Sequence, residues 1–193
     1  MDDISLLKVP NFVYGPDCSA WDVEDVYATA LSAESESSLR LSCWKEYMRR
    51  CPYGNGSFEM VAYLLNDAGD AIRFEAISVV CYVAHLGLKP DLGVDPNNYR
   101  SVIESLRIES NHFMKPWALA ARFGLVDLSA VTEAQAEVDR CSQAIAALVQ
   151  KNNETVGGID EIEFLRLRAL SDMKHVAQDI IDRKHRMPLI LRS

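Results

Sequence analysis

No part of the 193-residue chain approaches the roughly eighteen consecutive apolar residues that a membrane-spanning helix needs. No secretory leader is expected either. "MDDISLLKVP" opens on two acids and has neither a basic n-region nor a small-residue cleavage site. Both absences predict a cytoplasmic protein. Cysteine is sparse and scattered. Cys18, Cys43, Cys51, Cys81 and Cys141 are odd in number, widely spaced and form no C-x-x-C pair. That spacing predicts neither a disulfide framework nor a zinc knuckle. Catalytic signatures are lacking too, with no G-x-S-x-G, P-loop, H-E-x-x-H or dinucleotide glycine pattern. The expectation is a non-enzymatic protein with no cofactor, no metal and no catalytic residues. No repeat period is visible, which excludes a regular solenoid.

The chain has enough apolar material, 49% of residues, for one full core. Its length predicts one helical domain over residues 1–193, with an arm or loop at 1–19 and a frayed tail at 188–193. The net charge of −8 is unevenly spread. Residues 1–70 hold 12 acids and 5 bases, and residues 71–193 hold 16 acids and 15 bases. Phosphate contact rests on clustered Lys and Arg, so an acidic chain needs a local basic groove to hold RNA or DNA.

The punctuation is helical throughout. "AWDVEDVYATALSA" places Trp21, Val23, Val26, Tyr27 and Leu31 on one face, with Ser19 as its N-cap. "LRLSCWKEYMRRC" closes on Arg49 and Arg50 before Pro52. "YGNG" reads as a turn, and Ser57 as the cap of "FEMVAYLLND". "AIRFEAISVVCYVAHLG" is the most apolar helix and stops at Gly87. After the loop "LKPDLGVDPNN", Asp95 and Pro96 start a helix through "NNYRSVIESLRIESNHFMK". Thr132 and Gln135 form a capping-box pattern for a helix reaching Lys151, with Val138, Cys141, Ile145 and Leu148 on one face. Asp160 and Glu163 begin a last helix, which Pro188 ends. Seven or eight helices and no strand pair predict an all-α fold, a compact irregular bundle.

Several polar groups have chemically suggestive spacing. Asp172, His175 and Asp179 share one face of the last helix, a divalent-metal pattern that is more commonly a solvated polar face. Cys81 and His85 sit one turn apart, a thiol–imidazole spacing on an apolar helix where a structural cysteine is the commoner outcome. Cys81 and Cys141 are expected to be small buried hydrophobes. His112 can titrate near neutral pH, though nothing singles it out as a switch. Arg49–Arg50 and the tail group Arg183, Lys184 and Arg186 can grip an acidic partner or complement helix C-termini.

"SLRIESNHFMKPWALAA" resembles the central motif in coat proteins of flexuous filamentous plant RNA viruses. Leu106–Arg107 stands for the motif's Leu-Arg pair and Phe113 for its aromatic six residues on, with Trp117 and Ala118 following. "AISVVCYVAHLGLKPD" is similar to the apolar helix preceding that motif. The family's aromatic–Asp–aromatic element is reduced here to "RFGLVDLSA", where Asp127 lacks flanking aromatics. "NFVYGPDCSAWDVEDVYATAL" is similar to the N-terminal segment of rigid rod-shaped plant virus coat proteins, and "AEVDRCSQAIAALV" to their long RNA-flanking helix. These resemblances imply a self-assembling subunit, a homo-oligomer packing single-stranded RNA in a virion. They imply RNA-binding roles for Arg107, with Arg100, Lys115 and Arg122 as further basic candidates and Asp127 as the acidic partner. The different-class alternative is a small acidic partner-binding protein, such as a bacterial immunity protein or antitoxin masking a basic toxin surface.

Pro116 sharpens the coat expectation. It removes a backbone donor and biases Lys115 away from helical angles. The stretch is therefore expected to break at Met114–Lys115. Phe113 and Trp117 would anchor a groove at the bend, with Arg107 and Lys115 at its rim.

Overall fold

The computed structural model describes residues 9–51, 55–85, 96–154 and 160–186. Among these residues there are eight α-helices and no strand, so the fold is all-α. The helices are α1 (Val23–Leu31), α2 (Ser37–Arg50), α3 (Asn55–Leu64), α4 (Asp70–His85), α5 (Pro96–Arg107), α6 (Lys115–Gly124), α7 (Ser129–Glu154) and α8 (Glu161–Arg186). The chain divides into two compact units, one of Pro10–Ile108 and one of Glu109–Ser193 with Met1–Val9.

The N-terminal unit packs α1 on α2, α3 on both α4 and α5, and α2 on α4. Leu41 and Trp44 of α2, Leu64 of α3 and Ile77 of α4 are almost wholly buried. Burying such side chains contributes about 1.5–3 kcal/mol each. Arg40 of α2 is buried as well. Its Nε donates to the Ala30 carbonyl at the end of α1 at 3.2 Å, and its guanidinium pairs with Asp67. It thereby satisfies a helix-end carbonyl that α1 itself cannot.

The described part of the expected arm does not project from this unit. Phe12 meets Phe74 edge-on with ring centroids 5.5 Å apart, and Gly15 N–H donates to the Ser38 carbonyl at 2.8 Å. Ser19 is not the cap of α1. Asp22 occupies that position, and Ser19 instead hydrogen-bonds the Asp17 carboxylate through its N–H and hydroxyl. Val26 and Ala30 form the buried stripe of α1, while Trp21 stays exposed. The start of α3 at Asn55 takes half of the expected "YGNG" turn into helix. Gly87, Asp95 and Pro188 lie outside the described residues.

In the C-terminal unit α7 and α8 form a long hairpin, with α6 packed against both. One core layer joins Leu119 and Phe123 of α6 to Val138 of α7 and Ile180 of α8. The next joins Cys141 and Leu148 to Leu170 and Met173, with Phe113 and Trp117 at its margin. The α7 face of Val138, Cys141, Ile145 and Leu148 thus faces the core as its spacing predicts. α7 begins at Ser129, ahead of Thr132, so the capping-box assignment was misplaced. Asp127 organises that start, accepting from Ser129 N–H and Ser129 Oγ–H. At α8 the cap falls where the sequence puts it, with Glu163 N–H donating to Asp160 Oδ1 at 2.7 Å.

The helix break near Pro116 is present but wider than expected. α5 stops at Arg107, and Pro116 sits in the first turn of α6, where a missing N–H costs nothing. Polar side chains explain the early stop. Glu109 Oε1 accepts from Asn111 N–H, and Asn111 Oδ1 accepts from Phe113 N–H. Such local bonds offer the backbone an alternative to the helical ladder.

Candidate functional site

The residues singled out for RNA do not converge on one groove within either unit. Arg122 is buried in the C-terminal unit, only 2% exposed. Its guanidinium donates to Asp127 at 3.0 Å, to both Glu133 oxygens at 3.0 and 2.7 Å, and to Ser129 Oγ at 3.0 Å. Burial alone would lower the Arg122 pKa, but the bonds to Glu133 and Asp127 outweigh it and hold it above the ordinary arginine value. The bonds from Arg122 likewise hold the Glu133 carboxyl below the usual range, with Lys115 adding to the pull. This network ties α6 to the start of α7, which leaves Arg122 and Asp127 engaged within the fold rather than available to phosphate.

Phe113 and Trp117 are brought together, ring centroids 5.0 Å apart and tilted by 31°. Both pack on the Cys141–Met173 core layer. Each is half-buried, with one side against this unit's own core. Arg100 and Arg107 are exposed near one face of α5 in the N-terminal unit, with exposed Glu104 between them. Lys115 is half-buried and His112 exposed.

The other spacings resolve as follows. Asp179 pairs with Arg183 at 2.7 Å one turn on. Among the described residues no group of three or more His, Cys, Asp and Glu side chains is placed to hold a metal. Cys141 is buried, and burial pushes its thiol up to about 11, whereas Cys81 is only half-buried. The side chains of His85 and Arg186 lie outside the described residues, and Lys184 is half-buried. Arg49 and Arg50 both bind Glu46, whose carboxyl they lower to about 2.

Two features were not legible as sites. One is a cleft of about 390 Å³ in the N-terminal unit, between the Tyr14–Cys18 loop and α2. Its charges are already engaged. Lys45 lies 4.5 Å from the centre of the Tyr14 ring, and Tyr14 Oη donates to Glu75 at 2.6 Å. Burial and that carboxylate push the Tyr14 phenol up to about 12.

The other is the tip of the α7–α8 hairpin. Ile162, Phe164 and Leu165 occupy the first turns of α8 and are 63%, 57% and 55% exposed. Val149, near the end of α7, is 43% exposed. The two helix ends meet here, because Lys151 of α7 pairs with Glu163 of α8 at 2.5 Å. Periodicity explains the exposure. Glu163, Leu167, Leu170 and Met173 turn into the hairpin seam, while Ile162, Phe164 and Leu165 point to solvent. Single exposed hydrophobes are ordinary, whereas here three large ones lie on two adjacent turns.

The chain matches no protein-family model, no curated protein sequence and no solved structure.

Proposed function

We propose that this is a non-enzymatic helical assembly or interaction protein that docks another protein surface through the apolar tip of the α7–α8 hairpin. The observation that carries the proposal is the exposure of Ile162, Phe164 and Leu165 on adjacent turns. Aromatic and aliphatic anchors of this kind supply most of the energy in protein interfaces when they enter a partner's pocket. The partner-binding class is favoured over RNA packing by the state of the expected RNA residues. Arg122 is neutralised by two carboxylates, and the Phe113–Trp117 pair packs against the core. Non-specific RNA binding needs free cations along a groove and open aromatic faces.

The test compares the wild type with Phe164→Glu/Leu165→Glu by sedimentation velocity over a range of concentrations, with and without single-stranded RNA at low salt. Concentration-dependent assembly that the double variant loses identifies a second copy as the occupant. A wild-type monomer whose partner, isolated from the native host, no longer binds the variant identifies a different protein. Assembly that needs RNA, survives the hairpin change and is lost in Arg100→Glu/Arg107→Glu would overturn the hairpin proposal in favour of a coat subunit.

A further inference from the structure

The N-terminal unit holds two thiols in contact beneath its cleft. Cys18 lies in the loop before α1, and Cys43 in the middle of α2. Cys43 Sγ–H donates to Cys18 Sγ at 3.3 Å, and Cys18 Sγ–H donates to the Pro16 carbonyl at 3.4 Å. Both residues are free cysteines and are buried.

The loop is fixed against α2 on either side of Cys18. Upstream, Gly15 N–H bonds the Ser38 carbonyl, and a Cβ at Gly15 would lie 2.9 Å from Leu39 N. Downstream, the Arg50 guanidinium donates to the carbonyls of Cys18, Ser19 and Trp21 at 3.3, 2.5 and 2.7 Å. A disulfide has a sulfur–sulfur length of about 2.05 Å. The two sulfurs therefore need to close by little more than about one ångström, without moving the loop away from its clamps.

We propose that Cys18 and Cys43 form a reversible dithiol–disulfide site oxidised by small-molecule disulfides. Cys18 lines the cleft while Cys43 is wholly buried, so Cys18 reacts first. Its thiolate attacks one sulfur of the oxidant RSSR, forming Cys18–S–SR and expelling RS⁻, which takes up the proton Cys18 lost. Cys43 then loses its proton and attacks the Cys18 sulfur. The second RS⁻ leaves and is protonated in turn. Two protein thiols are oxidised and one RSSR is reduced to two RSH. Burial, then the hydrogen bond to Cys18, pushes the Cys43 thiol up to about 12, which makes the second step slow at neutral pH and faster as pH rises.

The site is tested on the reduced full-length protein. It is incubated with oxidised glutathione, then unfolded in N-ethylmaleimide and digested with trypsin. The expected product is peptide Val9–Arg40 disulfide-linked to peptide Leu41–Lys45, a bond that dithiothreitol reverses. The oxidised form should show a thermal midpoint roughly 10 °C higher, as expected for closing a loop of this length. Cys43→Ser should instead accumulate glutathione on Cys18. If that variant does not fold, the wild-type peptide map and melting curve decide alone. The proposal is overturned if both peptides carry maleimide after oxidation, if Cys18 links equally to the other cysteines, or if the link forms only in denaturant.

Discussion

Arg122 and Asp127 are joined twice. Asp127 N–H donates to the Arg122 carbonyl at 3.0 Å, and Arg122 Nε–H donates to the Asp127 carboxylate at the same distance. The first bond closes the end of α6 and the second holds the turn that starts α7, where Asp127 also receives Ser129. One residue pair therefore sets the angle at which α6 meets the hairpin.

Removing Arg122 strands the buried Asp127 carboxylate, whereas removing Asp127 leaves Arg122 paired with Glu133. The Arg122 and Asp127 side chains are only 3% and 7% exposed. Arg122→Met should cost about 3–5 kcal/mol, Asp127→Leu less, and Arg122→Met/Asp127→Leu less than the two single changes added together. A double-mutant cycle by urea denaturation checks this. Additive single changes would mean that the two side chains do not act together.

Val126 sits in the same turn with φ 69°, in the left-handed region that a β-branched residue seldom enters. The bonds from Val126 N–H to the Phe123 carbonyl and from Asp127 N–H to the Arg122 carbonyl define a helix-ending turn that normally carries glycine at this position. Here the glycine, Gly124, comes two residues early. Val126 is half-exposed and contributes little packing. Val126→Gly should raise stability by about 0.5–1 kcal/mol, the relief of left-handed strain less the entropy that glycine costs. Val126→Ala should gain much less, since it keeps a Cβ. Equal gains from both would point to a cause other than the backbone.

Acid should loosen the protein through two carboxylates with depressed pKa values. Arg122 holds Glu133 low, and Arg49 with Arg50 holds Glu46 at about 2. A folded-state pKa below the unfolded value near ~4.3 gives stability that is present above that value. It is lost as pH falls toward the folded value, at about 2 for Glu46. The urea midpoint should be nearly level from about pH 7 to pH 5 and drop below about pH 4. In Arg122→Met the drop should be shallower. An unchanged slope would show that Glu133 does not titrate through Arg122.

Legibility followed the range of the interactions. The start of α8 was readable because Asp160 and Glu163 carry the cap themselves, three residues apart. The α7 core face was readable because burial there follows helical spacing. The end of α5 was misjudged, although "ESN" held the competing local acceptors. Residues distant in sequence stayed hidden. Nothing in the local pattern pairs Cys18 with Cys43 or marks Arg122 as buried, because both outcomes depend on which helices meet. The apolar tip was concealed by its own periodicity, since Ile162, Phe164 and Leu165 read as ordinary helix residues until the seam of the hairpin is known.

Asn152 lies near the end of α7, one turn after the buried Leu148 and next to Lys151, which pairs with Glu163. Its side-chain nitrogen and oxygen are buried without a hydrogen-bond partner among the described residues. An unpaired buried amide costs about 1–3 kcal/mol, so Asn152→Leu should raise the unfolding free energy from urea denaturation by that order. Replacing Asn152 tests the docking proposal as well as stability. If the amide is retained for a partner that seats on the hairpin tip, Asn152→Leu will fold more tightly and bind that partner less well. Higher stability with unchanged binding would make Asn152 irrelevant to docking, and a loss of stability would show that its amide is satisfied inside the fold.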